Sequence, residues 1–141
     1  MSEYVVPQPT LSYAGARLVL DAALARAAEL GVAVNVSVCD VAGHELAFAR
    51  MDGAALLSAD IARDKAYSVA AFLGIPTSRW FEMVRENPAL REGIVHRDRL
   101  VIFGGGVAVA VDGARVGAVG VSGGTAEQDE EIAGAGAAAL S

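Results

Sequence analysis

The chain has 141 residues, 54% of them hydrophobic, and a formal net charge of −6. That length suits one domain with a buried core and is short for two, and the composition excludes a disordered chain. The acidic balance argues against a nucleic-acid partner, because phosphate binding needs a basic face. Asp, Arg or Glu interrupts every apolar run before it reaches membrane-spanning length, which argues against a membrane partner.

The N-terminus, MSEYVVPQPT, has no basic stretch leading into an apolar one, so no signal peptide is expected and a cytoplasmic location is. The lone Cys39 excludes an internal disulfide and a cysteine-based zinc cluster. Residues 1–9 read as an extended arm, with Pro7 and Pro9 blocking helix, and residues 10–141 as a single domain. Thr10 or Ser12 can cap a first helix that runs to about Leu30. Its buried stripe is Ala16, Val19, Leu20, Ala23, Ala27 and Leu30, and Gly31 is placed to end it in a left-handed turn.

Val34, Val36 and Val38 alternate with Ala33, Asn35, Ser37 and Cys39, the period of a strand. Asp40-Val41-Ala42-Gly43 is a turn, and His44 to Arg50 the returning strand. Its His44, Leu46, Phe48 and Arg50 share one face, and Glu45, Ala47 and Ala49 the other. Ser58 can cap a second helix to about Leu73, with Ala62, Ala66, Val69 and Leu73 as its core stripe, ended by Gly74-Ile75-Pro76. A shorter helix holds Trp80, Phe81 and Val84 and stops near Asn87-Pro88. Ala89 to Arg99 reads as loop with room for one helical turn.

Three Val-rich strands follow: Leu100–Phe103, Val107–Val111 and Arg115–Val121. Asp112-Gly113 supplies the positive φ of a tight hairpin. Thr125 and Gln128 form a capping box for a last, Ala-rich helix. Gly134 and Gly136 weaken that helix in isolation, so it needs close packing. The short connections favour antiparallel pairing. The order predicts an α+β domain, a five-stranded antiparallel sheet with helices packed on it.

Three segments carry a family resemblance: GHELAFARMDGA (43–54), SADIARDKAYSVAAF (58–72) followed by Pro76-Thr77, and VIFGGGVAVAVDGARVGAVGVSGGTAEQDEEIA (101–133). In order and spacing the chain resembles the GlcG/HbpS-like group, which includes the C-terminal domain of PduO, over roughly residues 9–140. The resemblance implies a profilin-like fold, assembly as dimers up to octamers, and in some members haem binding linked to redox or iron sensing.

Haem iron needs an axial ligand, most often imidazole, and His44 and His96 are the only histidines. Arg97 and Arg99 flank His96 and can pair with propionates, or form an ordinary solvated loop. His44 follows the hairpin glycine, Gly43, where an exposed role is the alternative. Met51 is a candidate thioether ligand or a core residue. Asp40, Arg50, Asp52 and Lys65 form a second constellation. Arg50 and Lys65, the only lysine, can hold a carboxylate, and a buried lysine can lose its proton and act as base or Schiff-base former. The structural alternative pairs Lys65 or Arg50 with Asp52 or Asp64.

Gly104, Gly105, Gly106 and Gly123 suit tight backbone packing and can line the floor of a ligand pocket, but the acids after Thr125 disfavour a phosphate there. No Gly-Lys-Ser/Thr follows, and GGGVAV precedes a strand, so neither nucleotide fingerprint applies. Glu127 and Glu131, one turn apart, can bind a hard cation or form a solvated helix start. Two functions are expected from these residues. One is a small-ligand-binding protein for haem or a related tetrapyrrole, in carriage, sensing or redox protection, acting as a homo-oligomer. The other is a cofactor-independent isomerase, tautomerase or hydrolase for an anionic carbonyl metabolite, with Arg50 as anchor and Lys65, His44 or Asp129 moving a proton.

Overall fold

The computed structural model of the chain describes residues 2–141. Helix α1, Tyr13–Leu30, starts where Ser12 Oγ accepts from the Gly15 amide at 3.0 Å, and ends at Gly31 with φ +70°. The serine satisfies one of the orphan amides of the first turn, and glycine takes the left-handed position without a side-chain penalty. Thr10 is not the cap; its hydroxyl accepts from the Val41 amide.

Strands β1, Asn35–Asp40, and β2, Glu45–Arg50, form the first hairpin, and β3, Gly106–Val111, and β4, Ala114–Ser122, the second. All pairs are antiparallel in the order β2-β1-β4-β3, which leaves β2 and β3 at the edges. The sheet therefore has four strands, not five. Leu100–Phe103 is apolar and β-branched enough to read as a strand, yet it joins no ladder. The Val101 amide donates to Ser68 Oγ instead, and the chain then bends through Gly105 at φ +132°.

A register shift between Val38 and Cys39 corrects the expected faces of β2. It sets Glu45 opposite Cys39, and Ser37 Oγ donates to Glu45 Oε1 at 2.8 Å. Such a bulge adds a residue to one strand and re-aims the side chains beside it.

Helix α2 spans Leu57–Ala71 and starts without a side-chain cap, so Ser58 does not serve as one. A single 3-10 turn, Thr77–Arg79, leads into the short helix α3, Trp80–Val84. Where a loop with room for one helical turn was expected, Pro88–Ile94 forms the seven-residue helix α4. Asn87 Oδ1 caps it by accepting from the Leu90 amide, and Pro88 sits in its first turn, where a missing amide costs nothing. Helix α5, Ala126–Ala138, begins with the expected capping box of Thr125 and Gln128.

The two faces of the sheet differ in bulk. One carries Val36, Val38, Val109, Val119 and Val121, all fully buried beneath Val19 and Ala23 of α1 and Ile132 and Ala133 of α5. Each such valine contributes about 1.5–3 kcal/mol of apolar burial. The other face carries Cys39, Ala108 and Ala118 against Ala66 and Val69 of α2. Gly106 and Gly120 pair across β3 and β4 on this face. A Cβ on Gly106 would lie 2.7 Å from Lys65 O, and one on Gly120 2.5 Å from Ala66 N. The small residues let α2 lie almost against the strands. Among the described residues, no helix is long and apolar enough to cross a membrane.

Candidate functional site

The β1–β2 hairpin and the outer face of α2 enclose a notch of about 270 Å³ lined by Ser37, Cys39, Gly43, His44, Glu45, Arg63 and Arg99. The hairpin turn holds its histidine by backbone chemistry. Asp40 Oδ1 accepts from the Ala42 and His44 amides at 3.0 and 2.9 Å, while Asp40 Oδ2 lies 3.4 Å from His44 Nδ1. A carboxylate beside one ring nitrogen orients the imidazole. The side chain is 80% exposed.

Two guanidiniums form the opposite wall, each stacked on an aromatic ring. Arg63 lies 4.0 Å above Phe48 and pairs with Glu45 at 3.0 Å. Arg99 lies 4.0 Å above Tyr67 and pairs with Asp64 at 2.9 Å. Stacking pre-orders a planar fork that carboxylates match in two-point contact. At the floor, Cys39 Sγ donates to Ala66 O, and burial pushes its thiol up to about 12, so it stays protonated and inert.

The other candidates lie elsewhere. Lys65 is 1% exposed. Its Nζ donates to Val121 O at 2.8 Å and to Asp129 Oδ2 at 3.2 Å. Asp129 Oδ1 accepts from the Gly124 amide at 2.8 Å. Burial lowers the lysine's pKa, opposed by the Asp129 charge. The partner is thus Asp129, neither Asp52 nor Asp64, and the pair ties α2, β4 and α5 together. Lys65 and Asp129 meet each other, whereas His44 pairs with Asp40 in the hairpin.

Arg50 ends β2 and donates to Ala54 O at 3.3 Å. Among the described residues no ion pair joins it to Asp52 or Asp64. Gly105 and Gly106 pack closely on Lys65; a Cβ on Gly105 would sit 2.5 Å from its Nζ. Gly123 abuts Ala33 O, and Gly104 borders a shallow pocket beside Phe103. His96 and Arg97 are exposed in the turn after α4. Met51 Sδ faces the Val34 amide at 3.5 Å. Glu131, one of the two candidate cation ligands, pairs with Arg26. Among the described residues no three His, Cys, Asp or Glu side chains are grouped to hold a metal ion.

Arg63, Glu45 and Tyr67 are site residues that sequence reasoning missed. Asp60, Arg63, Asp64 and Tyr67 recur at helical spacing on α2, and that polar and aromatic stripe is the signal that marks the wall.

A small-residue sheet face under α2, with an imidazole–carboxylate pair and two stacked arginines at its rim, characterises a small α+β domain. The family described as "Haem degrading protein HbpS-like" matches residues 11–138, and the chain belongs to it. The chain is 41% identical to the uncharacterized 15.0 kDa protein of the dhaT–dhaS intergenic region of Citrobacter freundii, over 88% of this chain and 87% of that protein. Among solved structures, protein ORFY of Klebsiella pneumoniae superposes with a TM-score of 0.89 at 33% identity, over 99% of this chain and 97% of that one. The PduOC:Heme complex superposes with a TM-score of 0.83 at 36% identity, over 93% and 95%.

Proposed function

We propose that this chain binds haem or a related tetrapyrrole at the hairpin–α2 notch, in carriage, sensing or redox protection. The observation that carries the reading is the His44–Asp40 pair standing beside Arg63 and Arg99. The donor set fits the polar parts of such a molecule: an oriented imidazole for the iron and two guanidiniums for the propionates. The notch is smaller than the pockets that enclose drug-sized ligands, so it accepts the acid edge and not the whole macrocycle. Haem, when bound, supplies a redox-active iron. Similarity to the haem complex of PduOC supports the same reading.

Haemin titration followed in the Soret region tests it. Wild type is expected to give a saturable band, and His44→Ala to weaken binding at least tenfold, while His96→Ala leaves it unchanged. A His44→Ala spectrum identical to wild type would remove the notch from consideration.

The same reading includes assembly into a homo-oligomer. β2 and β3 end the sheet with unpaired edges, which template pairing with another copy. The N-terminal arm leaves Tyr4 and Val6 each 87% exposed. Light scattering at micromolar concentration is expected to return at least a dimer; a monomer would end this part of the proposal.

A further inference from the structure

On the far side of the Tyr67–Arg99 stack lies a second pocket of about 270 Å³, different in character from the notch. Phe72, Trp80, Ile94 and Leu100 give it apolar walls, and Arg97 and Asp98 stand at its rim. The Phe72 and Trp80 rings meet at 4.8 Å and 47°, so the wall is a fixed aromatic corner.

Two polar groups there have no partner. Trp80 is 5% exposed, yet its Nε1 has no acceptor. A buried indole N–H almost always finds one. Ser68, which also lines the pocket, donates to Asp64 O and Arg99 O and accepts from the Val101 amide, and it makes no hydrogen bond to the indole. Arg97 is the other: its neighbours Arg99 and Arg91 are ion-paired, but among the described residues no carboxylate pairs with Arg97.

We propose that this pocket binds a small aromatic monocarboxylate. The ring enters against Phe72 and Trp80, and the carboxylate takes the Arg97 fork. The Trp80 N–H lies just beneath the pocket surface, and a small shift of the ring on ligand entry brings it to a carboxylate oxygen. Asp98, exposed on the same rim, favours a ligand with a single negative charge, since a dianion would be repelled more strongly. The site is independent of the haem reading and uses none of the notch side chains.

Trp80 is the only tryptophan, so its emission reports on this pocket alone. Titration of the whole chain with phenylacetate is expected to change that emission saturably, while benzyl alcohol, with the same ring and no charge, binds at least tenfold more weakly. Arg97→Gln, an exposed change, is expected to cost at least tenfold in phenylacetate affinity. Trp80→Phe, read by calorimetry, is expected to cost about threefold or more. His44→Ala is expected to leave phenylacetate binding unchanged. A linear, unsaturating response, equal binding of acid and alcohol, or an unaffected Arg97→Gln variant would each overturn the proposal. So would a loss in His44→Ala, because the two sites would then be one.

Discussion

At the scale of single residues, Lys65 shows how an ordinary chemical group becomes structural. Removing one partner of a buried ion pair strands the other charge, which costs about 3–5 kcal/mol. Lys65→Met is therefore expected to lose about that much stability by urea unfolding. The double variant Lys65→Met with Asp129→Leu is expected to recover most of it, and a double variant as unstable as the single would show that packing, not charge, dominates. The pH dependence has a definite sign. The lysine's folded pKa lies below the unfolded value of 10.5, so in that window the unfolded chain binds more protons. Stability attributable to Lys65 then rises with pH towards 10.5, and the wild-type minus Lys65→Met difference is expected to climb there.

Cys39 acts in the opposite direction. Its thiol is raised from 9.0 to about 12, so above pH 9 the unfolded chain loses a proton that the folded chain keeps. Stability falls by about 1.4 kcal/mol per pH unit from this group alone. Cys39→Ala is expected to flatten that alkaline loss, and the native thiol to resist a disulfide reagent until the protein unfolds. Rapid labelling of the native protein would contradict the burial argument.

At the scale of elements, glycine content separates into two uses. A Cβ on Gly134 of α5 would meet nothing within 4 Å, and alanine there is expected to stabilise by about 0.5–1 kcal/mol. Gly136 lies two residues further along the same helix, where a Cβ would lie 2.9 Å from Val19 O of α1. Gly136→Ala is expected to destabilise by about 1–3 kcal/mol through overpacking. Thermal unfolding of the two variants reads the difference directly, and shifts of the same sign would refute it.

The elements were legible where one stretch of chain decides its own conformation. Ser12 and Gly31 bound α1, Thr125 and Gln128 begin α5, and the alternation of Val34, Val36 and Val38 announces β1. The failures are tertiary. Leu100–Phe103 has strand chemistry, but Ser68, 33 positions from Val101, takes the amide that a ladder would need. Residues 88–94 lack an apolar stripe strong enough to announce a helix, and the Asn87 cap with Pro88 forms it nonetheless. At the site, the place of His44 after the hairpin glycine was readable locally, but its pairing with Asp40, grouped instead with Arg50, Asp52 and Lys65, was not. Its arginine wall was not, because Arg63 and Arg99 come from separate segments, and neither was Asp129, 64 positions from Lys65.

At the scale of the whole molecule, a charge of −6 on 141 residues sets long-range repulsion between copies. The proposed association through the open strand edges works against that field. Raising salt from about 0.02 M to about 0.5 M shortens the screening length several-fold, so the apparent mass is expected to grow with salt. A mass that falls instead would assign the contacts to ion pairs.

The closeness of α2 to the strands also governs reach. A lysine stem is short, and here it must touch the main chain of β4 and a carboxylate on α5 at once. Were valines to replace Gly106 and Gly120, the helix would ride higher and the ammonium would stop short of both. Glycine on that face acts as a spacer of zero thickness, and a change there severs an electrical link between layers as well as crowding them.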